Sequence, residues 1–405
     1  MSYPKNFLWG TATSSHQVEG NNTNNDWWRW EQQGKVKNLS GAAADHFHKF
    51  EEDFQLAARL GHNAHRFSLE WSRIEPEQGR FDAAAIAHYQ KVLDALKAKS
   101  LTPIITLHHF TNPLWFQELG GWLNPKAADY FARYVKEAAA AFSRDVRYWV
   151  TINEPMVYGY YSYVLGLWPP GEKSQTKAFR VINNMIQAHQ RAYHAIHAVY
   201  RGKPWEAPMV SFAKNFRPFL VCPRTPGVLC RLGVWWRNAY FNWYFLNRVR
   251  STMDFIGVNY YELEYDSTER ELGCGRFGGN CTHAHKHFNH ANKLGWGLFS
   301  EGLAIVFDGL AKYKKPIIIT ENGTCEDDDA WRQHFIEQHI EQIDYALQRG
   351  IPIMGYCYWS LLDNFEWHHG SGIRFGLINV DYNTFQRTVR PSALRYQELI
   401  GERKN

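Results

Sequence analysis

No stretch of this 405-residue chain supplies the roughly 18 consecutive apolar residues of a membrane span. The opening "MSYPKNFLWG" lacks the charged region, apolar core and cleavage site of an export signal, so a cytoplasmic location is expected. Charge of one sign is scarce too. The formal net charge is only +5 and no block of like charges occurs, which argues against both a nucleic acid and a membrane surface as partner. Cysteines number six, and without an export signal free thiols are the default reading. Two local pairs, Cys222 with Cys230 and Cys274 with Cys281, could bridge only in an oxidising setting. There is no Pro-, Gly- or Ser-rich linker and no low-complexity tract, so residues 1–405 are expected to form one domain.

What the chain does have is aromatic surface. Phe, Trp and Tyr make up 16% of residues, with 17 tryptophans. Leu and Ile would satisfy a plain need for apolar bulk, so the excess suggests flat faces for a ring-shaped ligand. Short apolar runs alternate with amphipathic helical patterns along the whole chain. Strands are expected at 6–13, 63–70, 102–110, 147–154, 208–212, 254–261, 316–321 and 355–361. Between them, Phe47, Phe50, Phe54 and Leu60 share a helical face ended by Gly61, and Ile336, Ile340, Ile343 and Leu347 share another ended by Gly350. Eight near-continuous apolar strands separated by helices predict a parallel sheet closed into a (β/α)8 TIM barrel.

In such a barrel the C-terminal ends of the strands carry the chemistry. Residues 150–155, "VTINEP", end a buried strand on Glu154, where an unpaired carboxylate is costly to desolvate. The seventh strand, "PIIITENG", ends on Glu321. Other strand ends supply Gln17, Arg66, His109, Asn153, Asn259, Tyr261, Trp359, Glu366 and Trp367. Two carboxyls with separated pKa values are what glycosidic cleavage needs, one protonated to serve the leaving oxygen and one ionised to meet the oxocarbenium-like centre. Arg66 is the candidate cation for one of them. Each residue alone has a blander reading, since a strand-end Glu is more often salt-bridged and a lone Trp more often core.

These motifs, with "FLWGTATSSHQVEG", "HRFSLEWSRIEP", "DFIGVNYY", "YWSLLDNFEW" and "RFGLINVDY", resemble glycoside hydrolase family 1, the retaining β-glucosidase family, over nearly the whole chain. The resemblance implies a TIM barrel and a two-step retaining mechanism with no cofactor and no metal. It makes Glu154 the acid/base and Glu321 the nucleophile. Asn153 would hold the sugar 2-hydroxyl, and Gln17, His109, Glu366 and Trp367 the outer hydroxyls. Trp359 would lie under the ring and Trp296, in "KLGWGLFSEGL", on the aglycone side, while Arg66, Asn259 and Tyr261 would orient Glu321. The implied substrate is a β-glycoside or short oligosaccharide, a β-glucoside first. A β-galactosidase, β-fucosidase or transglycosylase is the alternative. A non-catalytic carbohydrate-binding barrel is the reading from another class, and the presence of both Glu residues argues against it.

The sequence also departs from the pattern. Phe110 and Met156 replace family aromatics, which puts the pocket wall and aglycone side in question. The loop "EWHHGSGIRFG" has Trp367 and no lysine, so Ser371 and Arg374 do not read as a sugar-phosphate site. The region between strands five and six is shortened, and "CPRTPGVLCRLGVWWRNAYFNWYF" stands there. A thinner outer layer would expose aromatics, giving a more open cleft or a face covered by another subunit in a homo-oligomer. Finally, "CTHAHKHFNH" spaces His283, His285 and His287 alternately, near His290 and Cys281. That spacing suits a metal, but a polar loop is the expected reading.

Overall fold

The computed structural model describes residues 3–223, 227–267, 279–280 and 290–404. Eight strands close into a parallel barrel in chain order: β1 Leu8–Ala12, β2 Ala64–Ser68, β3 Thr102–His108, β4 Tyr148–Asn153, β5 Met209–Asn215, β6 Ile256–Tyr260, β7 Ile317–Asn322 and β8 Ile353–Trp359. The register closes between β8 and β1, where Leu8 pairs with Gly355 and Ala12 with Trp359. Outer helices cover one face of each strand and the packed barrel interior covers the other, so β1, β2, β4, β6 and β7 are buried at every residue.

The principal outer helices are α1 His46–Arg59, α2 Ala83–Ala98, α3 Ala127–Phe142, α4 Gln175–Tyr200, α5 Val228–Arg237, α6 Glu301–Ala311, α7 Asp329–Gln348 and α8 Pro391–Arg403. Their ends follow local chemistry. The Asp82 carboxylate accepts from the Ala84 and Ala85 amides at 2.7 and 3.2 Å, capping α2. Gly350, at φ 74°, supplies the left-handed turn after α7. α5 runs on through a π-helical stretch, Asn238–Trp243, into Tyr244–Val249. Beyond the strand ends, Phe219–Val221 and Glu264–Ser267 pair in a small rim sheet.

Strand boundaries differ from expectation most at β5. The expected strand stopped at 212, yet the strand continues to Asn215. Lys214 is fully buried, its ammonium bonded to the Asn215 carbonyl and 4.1 Å from the Phe241 ring centroid. The glycine of "TENG" has a steric reason. A Cβ on Gly323 would stand 1.8 Å from the Trp359 carbonyl oxygen, so only glycine lets the ends of β7 and β8 meet. Among the described residues no helix is long and apolar enough to cross a membrane. Cys222 and Cys230 are buried, Cys325 and Cys357 are buried thiols, and Cys274 and Cys281 lie outside the described residues.

Candidate active site

β4 and β7 deliver the two carboxyls into one cleft at the C-terminal mouth of the barrel. Their surroundings differ. Pro155 opens a short helix, Pro155–Gly159, directly after β4 and leaves Glu154 at φ 44°, in the left-handed region. A non-glycine residue there costs on the order of 1 kcal/mol, held in place by the Glu154 amide bonding to the Ala213 carbonyl at 2.8 Å. Glu154 is 7% exposed. Its Oε1 accepts from the side-chain amides of Asn259 at 2.8 Å and Asn215 at 3.2 Å. Burial, and then the neighbouring Glu321, raise its pKa from 4.5 to about 7, against the pull of those two amides and of Lys214.

Glu321, by contrast, is ion-paired with Arg66, which is wholly buried on β2. Arg66 makes further bonds to Thr106 Oγ1 at 3.0 Å, the Thr320 carbonyl at 3.1 Å and Asn153 Oδ1 at 2.8 Å. The other Glu321 oxygen accepts from the Tyr261 hydroxyl at 2.6 Å. Asn259 lies beside Glu321 in register, but its side-chain amide does not bond Glu321 as expected. The Thr320 hydroxyl occupies its Oδ1 at 2.6 Å, so its amide turns across the barrel to Glu154 and to Asn153 Oδ1, 3.1 Å away.

Asn153 is thereby oriented. With Oδ1 taken twice, its Nδ2 faces His109 Nε2 at 3.2 Å. Burial depresses the His109 pKa well below its usual value, helped by Arg66, so the ring is neutral. It lies nearly parallel to Trp359 and Trp367, with centroids 5.8 and 6.1 Å away. Gln17 donates to Glu366 at 3.1 Å, and burial plus repulsion from Glu321 and Glu154 pushes Glu366 up to about 8. Trp296 and Tyr261 form the opposite wall, 5.5 Å apart. All ten expected catalytic and sugar-contacting residues line this cleft, and Arg66 and Asn259 stand behind it.

Several wall residues escaped the sequence reading. Asn215 and Arg217 follow the underestimated end of β5, so a strand three residues longer would have found Asn215. Arg217 is engaged by Glu262 at 2.9 Å and by Glu264. Tyr161, Trp168 and His368 form an aromatic wall, with Trp168 stacked 4.7 Å from Tyr161 and donating to His368 Nδ1 at 2.9 Å. No local motif announces them: Tyr161 and Trp168 meet across a local turn, and His368 joins them only through tertiary packing. Phe110 is on the wall as expected, but Met156 is in the core and Val157 takes its place. Helix geometry explains the swap, since adjacent residues point about 100° apart. Arg374 is occupied by Asp363, Asn379 and the Val380 carbonyl, which leaves it no role in the cleft.

The expected metal-spacing residues His283, His285 and His287 lie outside the described residues. His290 is described, bonded to Glu326 at 3.0 Å and stacked on Trp331. Among the described residues no cluster of three or more His, Cys, Asp or Glu could hold a metal ion.

The family model for glycosyl hydrolase family 1 matches residues 1–218 and 241–405. The chain belongs to that family. A 1,4-β-D-glucan glucohydrolase of Thermotoga neapolitana is 30% identical, with 98% of each chain covered. The solved β-glycosidase from Pyrococcus horikoshii superposes with a TM-score of 0.89 at 36% identity, covering 98% of this chain and 95% of that one. The β-glucosidase from Thermotoga maritima, solved with glucoimidazole, gives 0.90 at 28% identity over 99% of both. This family 1 protein is therefore a glycoside hydrolase on a TIM barrel. The family match omits residues 219–240, the region between β5 and β6 that departs from the pattern in sequence.

Proposed function

We propose that the protein is a retaining β-glycosidase acting on terminal non-reducing β-D-glucosyl residues, with residues 1–405 as one catalytic unit. One observation carries this reading: in a single cleft, Glu154 has a pKa raised to about 7 and amide partners, while Glu321 is ion-paired with Arg66. A carboxyl protonated near neutrality suits proton donation to the glycosidic oxygen. Glu321 attacks the anomeric carbon as that bond breaks, forming a covalent glycosyl-enzyme. Glu154, now ionised, takes a proton from water, and the water displaces Glu321 with restored configuration.

Asn153 holds the 2-hydroxyl, its amide aimed by Arg66 and Asn259. Gln17, His109, Glu366 and Trp367 receive the outer hydroxyls, Trp359 supports the ring, and Trp296 borders the aglycone. A galactoside or fucoside is the second reading, because Gln17 and Glu366 can meet either orientation of a C4 hydroxyl. The Thermotoga maritima enzyme has also been solved with galacto-hydroximolactam. The ties that hold Arg374 support a neutral sugar over a phosphorylated one. The buried thiols of Cys325 and Cys357 support a reducing, cytoplasmic compartment.

The test is hydrolysis of a panel of aryl β-glycosides and short β-linked disaccharides, followed by proton NMR of the first-formed sugar. The β anomer supports the proposal. First-formed α anomer would overturn retention, and no turnover on any substrate would favour the carbohydrate-binding alternative.

A further inference from the structure

The sequence between β5 and β6 turns an unusual face to solvent. On α5, Val228, Leu229, Leu232, Trp235 and Trp236 are 73%, 65%, 58%, 68% and 59% exposed. At helical spacing they fall within an arc of about 120°. The opposite side of the helix is anchored. Cys230 is buried, Arg237 bonds Glu264 at 2.8 Å, and Asn238 donates to the Phe219 carbonyl at 2.8 Å. The usual rule for a surface helix is thus inverted, with apolar side chains outward and a polar anchor inward. The family match omits residues 219–240, which hold this face.

Charge decides what covers it. From Pro218 to Arg250 the chain has five arginines and no Asp or Glu. Arg231 is exposed at the edge of the apolar arc, and Arg248 and Arg250 are exposed where the helical run ends. The chain-wide charge of +5 hides this concentration. A second copy meeting the same face about a two-fold axis would set arginines against arginines. An anionic bilayer complements both features, with acidic headgroups for the arginines and an interfacial zone that favours tryptophan.

We propose that α5 is an interfacial helix that lays the protein on anionic phospholipid membranes without spanning them. The helix also sits beside the cleft, because Glu264 binds both Arg237 of α5 and Arg217 of the cleft wall. A docked bilayer therefore lies next to the mouth.

The experiment is co-sedimentation of the full chain with vesicles of mixed phosphatidylcholine and phosphatidylglycerol, against vesicles of phosphatidylcholine alone. Wild type is expected to pellet with the mixed vesicles and to be released by high salt. The double variant Leu232→Ser/Trp235→Ser should partition at least roughly tenfold less, and Arg231→Glu roughly tenfold less. Both variants should keep full turnover of a soluble aryl glycoside, which also reports that they fold. Wild type remaining in the supernatant would overturn the proposal. So would pelleting that the double variant does not reduce, or a dimer in solution that this variant splits while vesicles leave wild type unbound.

Discussion

The ends of β4 and β7 present the same functional group at nearly the same burial, Glu154 being 7% and Glu321 3% exposed. Their partners are opposite in kind. Glu321 meets a guanidinium and a phenol, while Glu154 meets two side-chain amides. Burial alone would treat the two carboxyls alike, so the placing of Arg66 separates them. Glu366, a third carboxyl in the cleft, likewise has no ion-paired cation among the described residues and is pushed up to about 8. One wholly buried arginine thus distinguishes Glu321, the proposed nucleophile, from its neighbours.

Removing the charged member of the contrast has the largest expected effect. Glu321→Gln should lower kcat by about 10⁴ or more, measured with an activated aryl β-glucoside, while the thermal transition persists. Glu154→Ala comes next. Hydrolysis of poor leaving groups should fall by about 10²–10⁴ and that of activated aryl glycosides far less. The wild-type rate should decline as pH rises through about 7, where Glu154 loses its proton, and that limb should vanish in the variant. Equal losses on both substrate types would remove Glu154 from the acid role.

The contrast should also appear in stability. Arg66→Met leaves Glu321 buried without its cation and should cost about 3–5 kcal/mol in denaturant unfolding. Glu154→Gln should act the other way. A folded pKa of about 7 against 4.5 means the folded state holds an extra proton in that window, so wild-type stability falls as pH rises through it. The neutral amide escapes that cost and should gain up to about 3 kcal/mol above pH 7, with no gain below pH 4.5. If both variants shifted stability in the same direction at pH 8, Arg66 would not be what separates the two carboxyls.

Much of this was legible locally. Apolar runs announce all eight barrel strands, and "TINEP" and "ITENG" place a carboxyl at the mouth by position alone. What could not be read depends on contacts distant in sequence. The expected fifth strand ended before Lys214, which the barrel buries, and so missed Asn215 and with it half of the amide cradle around Glu154. Asn259 sits on the strand next to Glu321, yet the Thr320 hydroxyl redirects its amide to Glu154. The wall of Tyr161, Trp168 and His368 joins two segments, 161–168 and the loop at 368, and has no sequence signature. The apolar face of α5, in contrast, follows from the shortened segment itself.

The most direct test of the asymmetry is to trap the intermediate. An activated 2-deoxy-2-fluoro-β-glucoside slows the breakdown of a glycosyl-enzyme more than its formation, and peptide mass mapping locates the attached sugar. The account predicts stoichiometric labelling at Glu321, in the peptide containing "IIITENG". Labelling at Glu154 would contradict it.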